Sequence, residues 1–175
     1  GCRALKGRSS SQAADFATIR DNWRLRGHWK YTLIPANGDG GMTVAHIYTV
    51  AFQGIEAREV DVQVHIGTHS QAGNNFNIVG LADKAVGESR ERVRAALSAI
   101  GLAMPYQKVT VNLAPADLAK EGSHYDLPIA LGLLAAMGVL PPEELERSLV
   151  LGELSLDAGI RPVAGVLPAA MHAAV

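Results

Sequence analysis

Residues 109–136 read VTVNLAPADLAKEGSHYDLPIALGLLAA, and this stretch decides the class of fold. Polar and apolar side chains alternate over Lys108–Leu113, which predicts a strand with one face in a core. A polar loop follows at 114–123, and nearly every residue of Asp126–Met137 is apolar before Gly138 ends the run. A helix that is apolar on all sides is typical of a buried position. The stretch therefore predicts a strand, a loop and a core helix that packs on a sheet.

Three more strands are expected upstream. Val44–Phe52 is rich in β-branched and aromatic residues, and Glu56–Ile66 alternates between aliphatic and polar side chains. Gly54 lies between these two segments and predicts a hairpin. Turn-forming residues predict a polar loop at 67–75, which leads into a short strand at Phe76–Val79.

A long helix and a group of short elements complete the pattern. Asp83 is placed to cap a helix that extends to about Ile100, where Gly101 provides a stop. The remaining predicted elements are a short surface helix from Pro141, strands at Leu149–Leu156 and Ile160–Val163, and an apolar helix from near Leu167. This order lacks the regular alternation of a dinucleotide-binding fold, so it predicts an α+β domain with a mixed sheet and helices packed on it.

The composition favours one soluble domain. The chain has 175 residues, of which 48% are hydrophobic and 19% charged, which suffices for a sizeable core. No apolar run approaches the roughly 20 residues of a membrane span, and no signal-peptide pattern is seen, so we expect a cytoplasmic protein without membrane contact. The single cysteine, Cys2, cannot supply a disulfide framework or a thiolate metal site. His65 and His69 lie on a strand-to-loop path, so we expect no metal site there either.

Basic residues are concentrated near the N-terminus. The net charge is −1, yet residues 1–41 carry seven basic and three acidic side chains. This composition predicts a disordered segment, although a basic tail is also compatible with nucleic-acid contact. A glycine-rich stretch at 38–41 precedes Met42. We therefore expect the native protein to start at Met42, with residues 1–41 as a non-native extension and 42–175 as the domain.

Three segments resemble a known family of proteins. They are FNIVGLADKAVGESRERVRAAL at 76–97, VTVNLAPADLAKEGSHYDLPIALGLLAA at 109–136 and LGELSLDAGIRPVAGVLPAA at 151–170. Together they are similar to the N-terminal domain of magnesium-chelatase-like AAA+ ATPases of the ComM/YifB subfamily, and the resemblance covers essentially all of 42–175. It implies a ribosomal S5 domain 2-like fold, which is also the fold of the proteolytic domain of Lon.

The resemblance also carries expectations about the whole protein. In the family, an AAA+ module that uses ATP and Mg²⁺ follows this domain, and the full-length proteins are similar to hexameric DNA motors of recombination and natural transformation. The implied partners are the chain's own AAA+ module, neighbouring subunits of a homo-hexamer, and DNA. A phosphate-binding loop needs Gly-Lys followed by Ser or Thr, and this chain has no such triplet. We therefore expect no ATP hydrolysis by this domain, and we assign it no catalytic, cofactor-binding or metal-binding residues. The apolar helix from near Leu167 has no polar end, so we also expect a natural protein that continues beyond Val175.

A residual serine hydrolase is the main enzymatic alternative. Lon-type peptidases use a Ser–Lys dyad, in which a lysine of lowered pKa activates the hydroxyl group. By resemblance to the Lon motif, His124 occupies the nucleophile position with Ser123 one place early, and Leu167 stands where the lysine would be. Lys120 falls in the polar loop, where an exposed amine would keep a pKa of about 10.4 and be a poor base. The expectation is no catalysis, with a hydrolase centred on Ser123 as the alternative.

Two arginines are the first candidates for contact with phosphate or with a neighbouring subunit. Arg90 and Arg94 lie four residues apart on one helix face without a local acid between them. Arg92, by contrast, is expected to pair with Glu88 in solvent. A stand-alone nucleic-acid-binding module would use the same arginines and is the third hypothesis.

The loop before the buried helix contains the other two candidates, Lys120 and Ser123. They precede a helix start, and a helix start attracts anions such as phosphate. The favoured interpretation is structural: the side chain of Ser123 or Asp126 accepts amide hydrogen bonds as a helix cap. Pro128 would then fit in the first turn.

Overall fold

A computed structural model describes residues 44–70, 76–141, 143, 145 and 147–174. The predictions made for residues 1–41, for a start at Met42 and for the side chain of His69 lie outside the described residues. The predicted surface helix from Pro141 falls in part on residues outside this set. Within the described ranges, no helix is long and apolar enough to cross a membrane.

Four strands form a mixed sheet in the order β1-β2-β4-β3. β1 (Val44–Gln53) pairs antiparallel with β2 (Glu56–Ser70), which pairs antiparallel with β4 (Gln107–Ala114). β4 pairs parallel with β3 (Phe76–Val79). Gly54, with a φ of +63°, turns β1 into β2, so the predicted hairpin is confirmed.

The alternation in β2 sorts its side chains as predicted, but the strand is longer than predicted. Val60, Val62 and Val64 are fully buried. The predicted loop at 67–75 is wrong for its first four residues, because β2 continues to Ser70 through a register shift after Ile66. The strand can continue because β4 still offers a pairing partner, Gln107, opposite Ser70; residues 71–75 lie outside the described ranges.

Two helices close the core. Helix α1 (Lys84–Ala99) starts at Asp83, whose carboxylate accepts the amide of Val86 at 2.7 Å. It is followed by Gly101, which has a φ of +81°, so both predicted signals are confirmed. Helix α2 (Asp126–Ala136) packs on β1, β2 and α1.

The close approach of α2 to the sheet requires a glycine. A Cβ at Gly132 would lie only 2.7 Å from a methyl carbon of Val64 and 3.3 Å from Ile47. The predicted burial of α2 is confirmed where Gly132 packs on the sheet. The buried valines of the sheet form one apolar cluster with both helices.

The C-terminal elements are shorter than predicted. β5 (Glu153–Leu154) pairs antiparallel with β6 (Ile160–Arg161), and helix α3 covers Val166–Ala173. The predicted strand at Leu149–Leu156 is reduced because its first half bonds to other segments: Val150 donates to the carbonyl of Tyr48 at 2.8 Å. The class of the fold, mixed α+β with helices on a mixed sheet, is confirmed.

Candidate functional site

The predicted side-chain cap of the buried helix is wrong. A 3-10 turn at Ser123–Tyr125 leads directly into α2, and no side chain caps the helix start. The Ser123 hydroxyl group instead donates to a carboxylate oxygen of Glu153. The Asp126 carboxylate binds the guanidinium group of Arg92. Both candidate caps are therefore occupied by side chains from distant parts of the chain.

The first amide groups of α2 find other acceptors, which is why no cap is needed. The amide of Asp126 donates to the carbonyl of Ser123, and the amide of Leu127 donates to the carbonyl of Gly152 at 3.0 Å. Pro128, placed in the first turn as predicted, has no amide hydrogen to satisfy. The helix start is thus satisfied by backbone alone.

Arg92 and Asp126 form a two-pronged ion pair in the interior. Arg92 Nε lies 2.6 Å from Asp126 Oδ2, and Arg92 Nη2 lies 3.0 Å from Asp126 Oδ1. The Asp126 side chain is fully buried, whereas the Arg92 side chain is 21% exposed. The amide of Leu154 adds a third donor to the carboxylate at 3.1 Å, and Arg92 also donates to the carbonyl of Ala85 at 3.0 Å. The pair therefore ties α1, α2 and β5 together.

This pairing changes the interpretation of Arg92. The predicted ion pair with Glu88 exists at 3.8 Å, but it is the weaker contact because the Glu88 side chain is 55% exposed. The hydrogen bond to Asp126 is the largest cause that raises the pKa of Arg92 above its ordinary value. Sequence reasoning missed the pair, although a signal was present: a carboxylate at the start of an otherwise apolar buried helix needs a cation nearby.

Lys120 is not the exposed amine that we expected. It is fully buried, and its ammonium group donates to the carbonyl oxygen of Pro115. The backbone of Lys120 bonds on both sides to the segment before α1, donating to Leu81 at 3.2 Å and accepting from Asp83 at 3.0 Å. These bonds hold the residue inside, and burial lowers the pKa of its amine, while Asp117 raises it to a smaller extent. The predicted exposure is wrong, and the buried ammonium group is not placed to meet phosphate.

Arg90 and Arg94 remain at the surface, but a local acid lies between them. Arg90 Nε is 3.5 Å from one carboxylate oxygen of Glu91, and Arg94 Nη1 is 3.6 Å from the other. The expectation of a helix face without an acid is therefore wrong. The two arginine side chains are 34% and 43% exposed, so contact with phosphate or with a subunit stays a prediction, weakened by the charge of Glu91.

His124 lies in an aromatic cluster rather than at an open site. Its Nε2 lies 2.8 Å from the carbonyl oxygen of Val50, which can only accept, so this nitrogen carries the proton. The imidazole contacts the rings of Phe52 and Tyr125, with centroid distances of 5.3 and 4.1 Å. Burial lowers the pKa of His124 and raises that of Tyr125. A neutral imidazole held in this way supports packing.

The side chains that a serine hydrolase would need have other partners. The hydroxyl group of Ser123 is bound to Glu153, and the amine of Lys120 is bound to Pro115. Leu167, at the position of the Lon-type lysine, is 71% exposed. Among the residues with described positions, no group of three or more His, Cys, Asp or Glu side chains could hold a metal ion. The arrangement is that of a polar network which joins segments of the fold.

Comparison with known proteins identifies the family of this chain. The family described as "Subunit ChlI of Mg-chelatase" matches residues 62–175. Competence protein ComM of Haemophilus influenzae is 42% identical over 132 residues, which cover 75% of this chain and 25% of that protein. YifB of Escherichia coli, uncharacterised, is also 42% identical over 132 residues, 75% of this chain and 26% of YifB. The chain thus spans about a quarter of the length of these relatives. It belongs to the ComM/YifB-type family of magnesium-chelatase-like proteins.

Proposed function

We propose that this chain is the non-catalytic N-terminal domain of a ComM-type AAA+ ATPase that works as a cytoplasmic homo-hexamer on DNA during recombination. ATP and Mg²⁺ would bind in the ATPase module of the same polypeptide. The observation that carries the proposal is the 42% identity with competence protein ComM over 132 residues, a quarter of that protein. That relative is named as a competence protein.

The sequence supports the proposal that nucleotide binding belongs to a part of such a protein other than this domain. The chain contains no Gly-Lys-Ser or Gly-Lys-Thr triplet, so the backbone cradle and lysine that bind nucleotide phosphates must come from elsewhere. We assign to this domain a role in assembly, substrate loading or regulation.

Side-chain contacts support the non-catalytic part of the proposal. A Ser–Lys dyad requires the amine to accept the hydroxyl proton, and here the Ser123 hydroxyl faces a carboxylate while the Lys120 amine faces a carbonyl. The mixed sheet with α1 and α2 packed on it is compatible with the S5 domain 2-like fold that we propose for residues 42–175.

The test is a deletion in the natural full-length protein. Removing residues 42–175 should leave basal ATP hydrolysis intact and abolish its stimulation by branched DNA or the assembly of the hexamer. An unchanged response to DNA together with an unchanged oligomer would overturn the assigned role.

A serine-reactive fluorophosphonate probe tests the non-catalytic claim separately. We expect no labelling of the 175-residue chain. Labelling that disappears in Ser123→Ala would establish the hydrolase instead, and Ser155→Ala, which alters a serine in the β5–β6 turn, is the matched control.

A further inference from the structure

Helix α3 leaves most of its apolar surface uncovered. Of its eight residues only Ala169 is buried. Val166, Leu167 and Met171 are 59%, 71% and 65% exposed. Leu167 and Met171 are four residues apart and therefore share one helix face. A short helix with large apolar side chains directed at water is typical of a surface that contacts another part of a protein.

A groove runs beside this helix, between α3 and the turn that joins β1 to β2. It has a volume of about 400 Å³ and is lined in part by Pro168, Met171 and His172 on the helix side. On the other side lie Ile55 and Arg58. Ile55, at the tip of the turn, is 92% exposed. Ile55, Pro168 and Met171 line the groove, and Leu167 lies on the same helix face as Met171. We call these four residues the α3 surface.

We propose that the α3 surface is the docking site for the ATPase module of the same polypeptide, so that an apolar segment of that module fills the groove. This inference rests on the proposed function, which places such a module after this domain. The relatives are about four times as long as the matched region, so a large part of each one is available to cover the surface. If a short flexible linker joins the module to this domain, its effective concentration is on the order of millimolar, so even a modest apolar contact would be occupied.

The chemistry of the groove favours a protein segment over DNA as its occupant, and concentration dependence distinguishes the tethered module from a second copy. Besides His172, its lining contains one acid and one base, Glu56 and Arg58, whose charges cancel, so it lacks the cluster of positive charge that binds phosphates. Apolar residues together with balanced charges are usual in contacts between protein surfaces. Association of two copies through the same surface would depend on protein concentration, whereas docking of a tethered module would not.

The initial rate of methionine oxidation tests the proposal without a substitution in the sequence. The 175-residue chain and the natural full-length protein are treated with hydrogen peroxide, and the oxidation rate of each methionine is followed by peptide mass spectrometry. Met104, partly buried against the core, is the internal control. With millimolar effective concentration and an intrinsic dissociation constant of about 0.1 mM, docking should slow the oxidation of Met171 about tenfold in the full-length protein. The rate for Met104 should differ by less than about twofold, because its environment is unchanged.

A pair of variants of the full-length protein localises the effect. Ile55→Lys places a charge in the groove and should return the oxidation rate of Met171 to that of the 175-residue chain. Leu156→Lys alters a side chain that is 66% exposed and does not line the groove, and it should leave Met171 protected.

Three results would overturn the proposal. Equal oxidation of Met171 in the two proteins would show that nothing covers the surface. Protection in the 175-residue chain that grows with protein concentration would show a second copy as the occupant. Protection that Ile55→Lys does not relieve would place the contact elsewhere. ATP hydrolysis measured on the same full-length samples reports on the proposed function independently of these outcomes.

Discussion

Replacing Arg92 by methionine removes the partner of a buried carboxylate. Asp126 is fully buried; it would lose hydrogen bonds of 2.6 and 3.0 Å and keep the amide of Leu154 at 3.1 Å. Removing one partner of a buried ion pair costs about 3–5 kcal/mol. Because the Arg92 side chain is 21% exposed, water can replace part of the lost contact, and we expect the low end, about 3 kcal/mol. For a domain of this size that corresponds to a decrease in Tm of about 10 °C.

Urea unfolding followed by circular dichroism measures this loss. Glu88→Gln is the matched control because it removes the exposed partner of the same arginine, at 3.8 Å, and should change the free energy of unfolding by less than about 0.5 kcal/mol. Combining Arg92→Met with Asp126→Asn should recover part of the stability, because no unpaired charge is then buried. A loss of stability in Arg92→Met no larger than that in Glu88→Gln would show that the buried ion pair does not stabilise the fold.

Three further predictions concern stability. Lys120→Met should leave the free energy of unfolding within about 1 kcal/mol of the wild-type value, because the substitution removes a buried charge that has one carbonyl acceptor. A loss of more than about 3 kcal/mol, measured by urea unfolding, would contradict this prediction. Burial lowers the pKa of His124, so the folded state resists protonation of this imidazole. The contribution of His124 to the free energy of unfolding should be constant at higher pH and should fall as the pH drops below about 6.5, by at most about 1.4 kcal/mol per pH unit. This pH dependence should be absent when the same pH series is measured on His124→Gln. Gly165→Ala should lower the free energy of unfolding by about 2 kcal/mol or more, because φ is +87° and the new Cβ would lie 2.2 Å from the ring of Phe52. The control Gly87→Ala changes a glycine on the open surface of α1 and should not destabilise the protein. Equal thermal unfolding of the two variants would contradict the prediction.

The parts of the fold that the sequence predicts correctly are governed by local rules. Side chains in β2 alternate because successive residues of a strand point to opposite faces, and Val60, Val62 and Val64 are accordingly buried. The limits of α1 follow from Asp83, which accepts a first-turn amide, and from Gly101, which adopts a positive φ. Both signals depend on neighbours within a few residues.

The errors concern side chains whose environment is set by distant segments. Arg92 and Asp126 are 34 residues apart, and their pairing depends on how α1 and α2 pack. Lys120 lies in a segment that reads as a polar loop, yet backbone bonds to Leu81 and Asp83 draw it into the interior. The sequence pattern predicts that Ser123 caps the adjacent helix, but its hydroxyl group donates to Glu153, which is 30 residues away. Such contacts follow from tertiary packing, which periodicity and spacing do not encode.

We propose that this domain contributes no ATPase site of its own and works as part of a ComM-type motor. ATP hydrolysis by the 175-residue chain and by the natural full-length protein, measured side by side with Mg²⁺ and branched DNA, tests this proposal. We predict no hydrolysis by the chain and DNA-stimulated hydrolysis by the full-length protein. Hydrolysis by the chain alone, or none by the full-length protein, would contradict the claim.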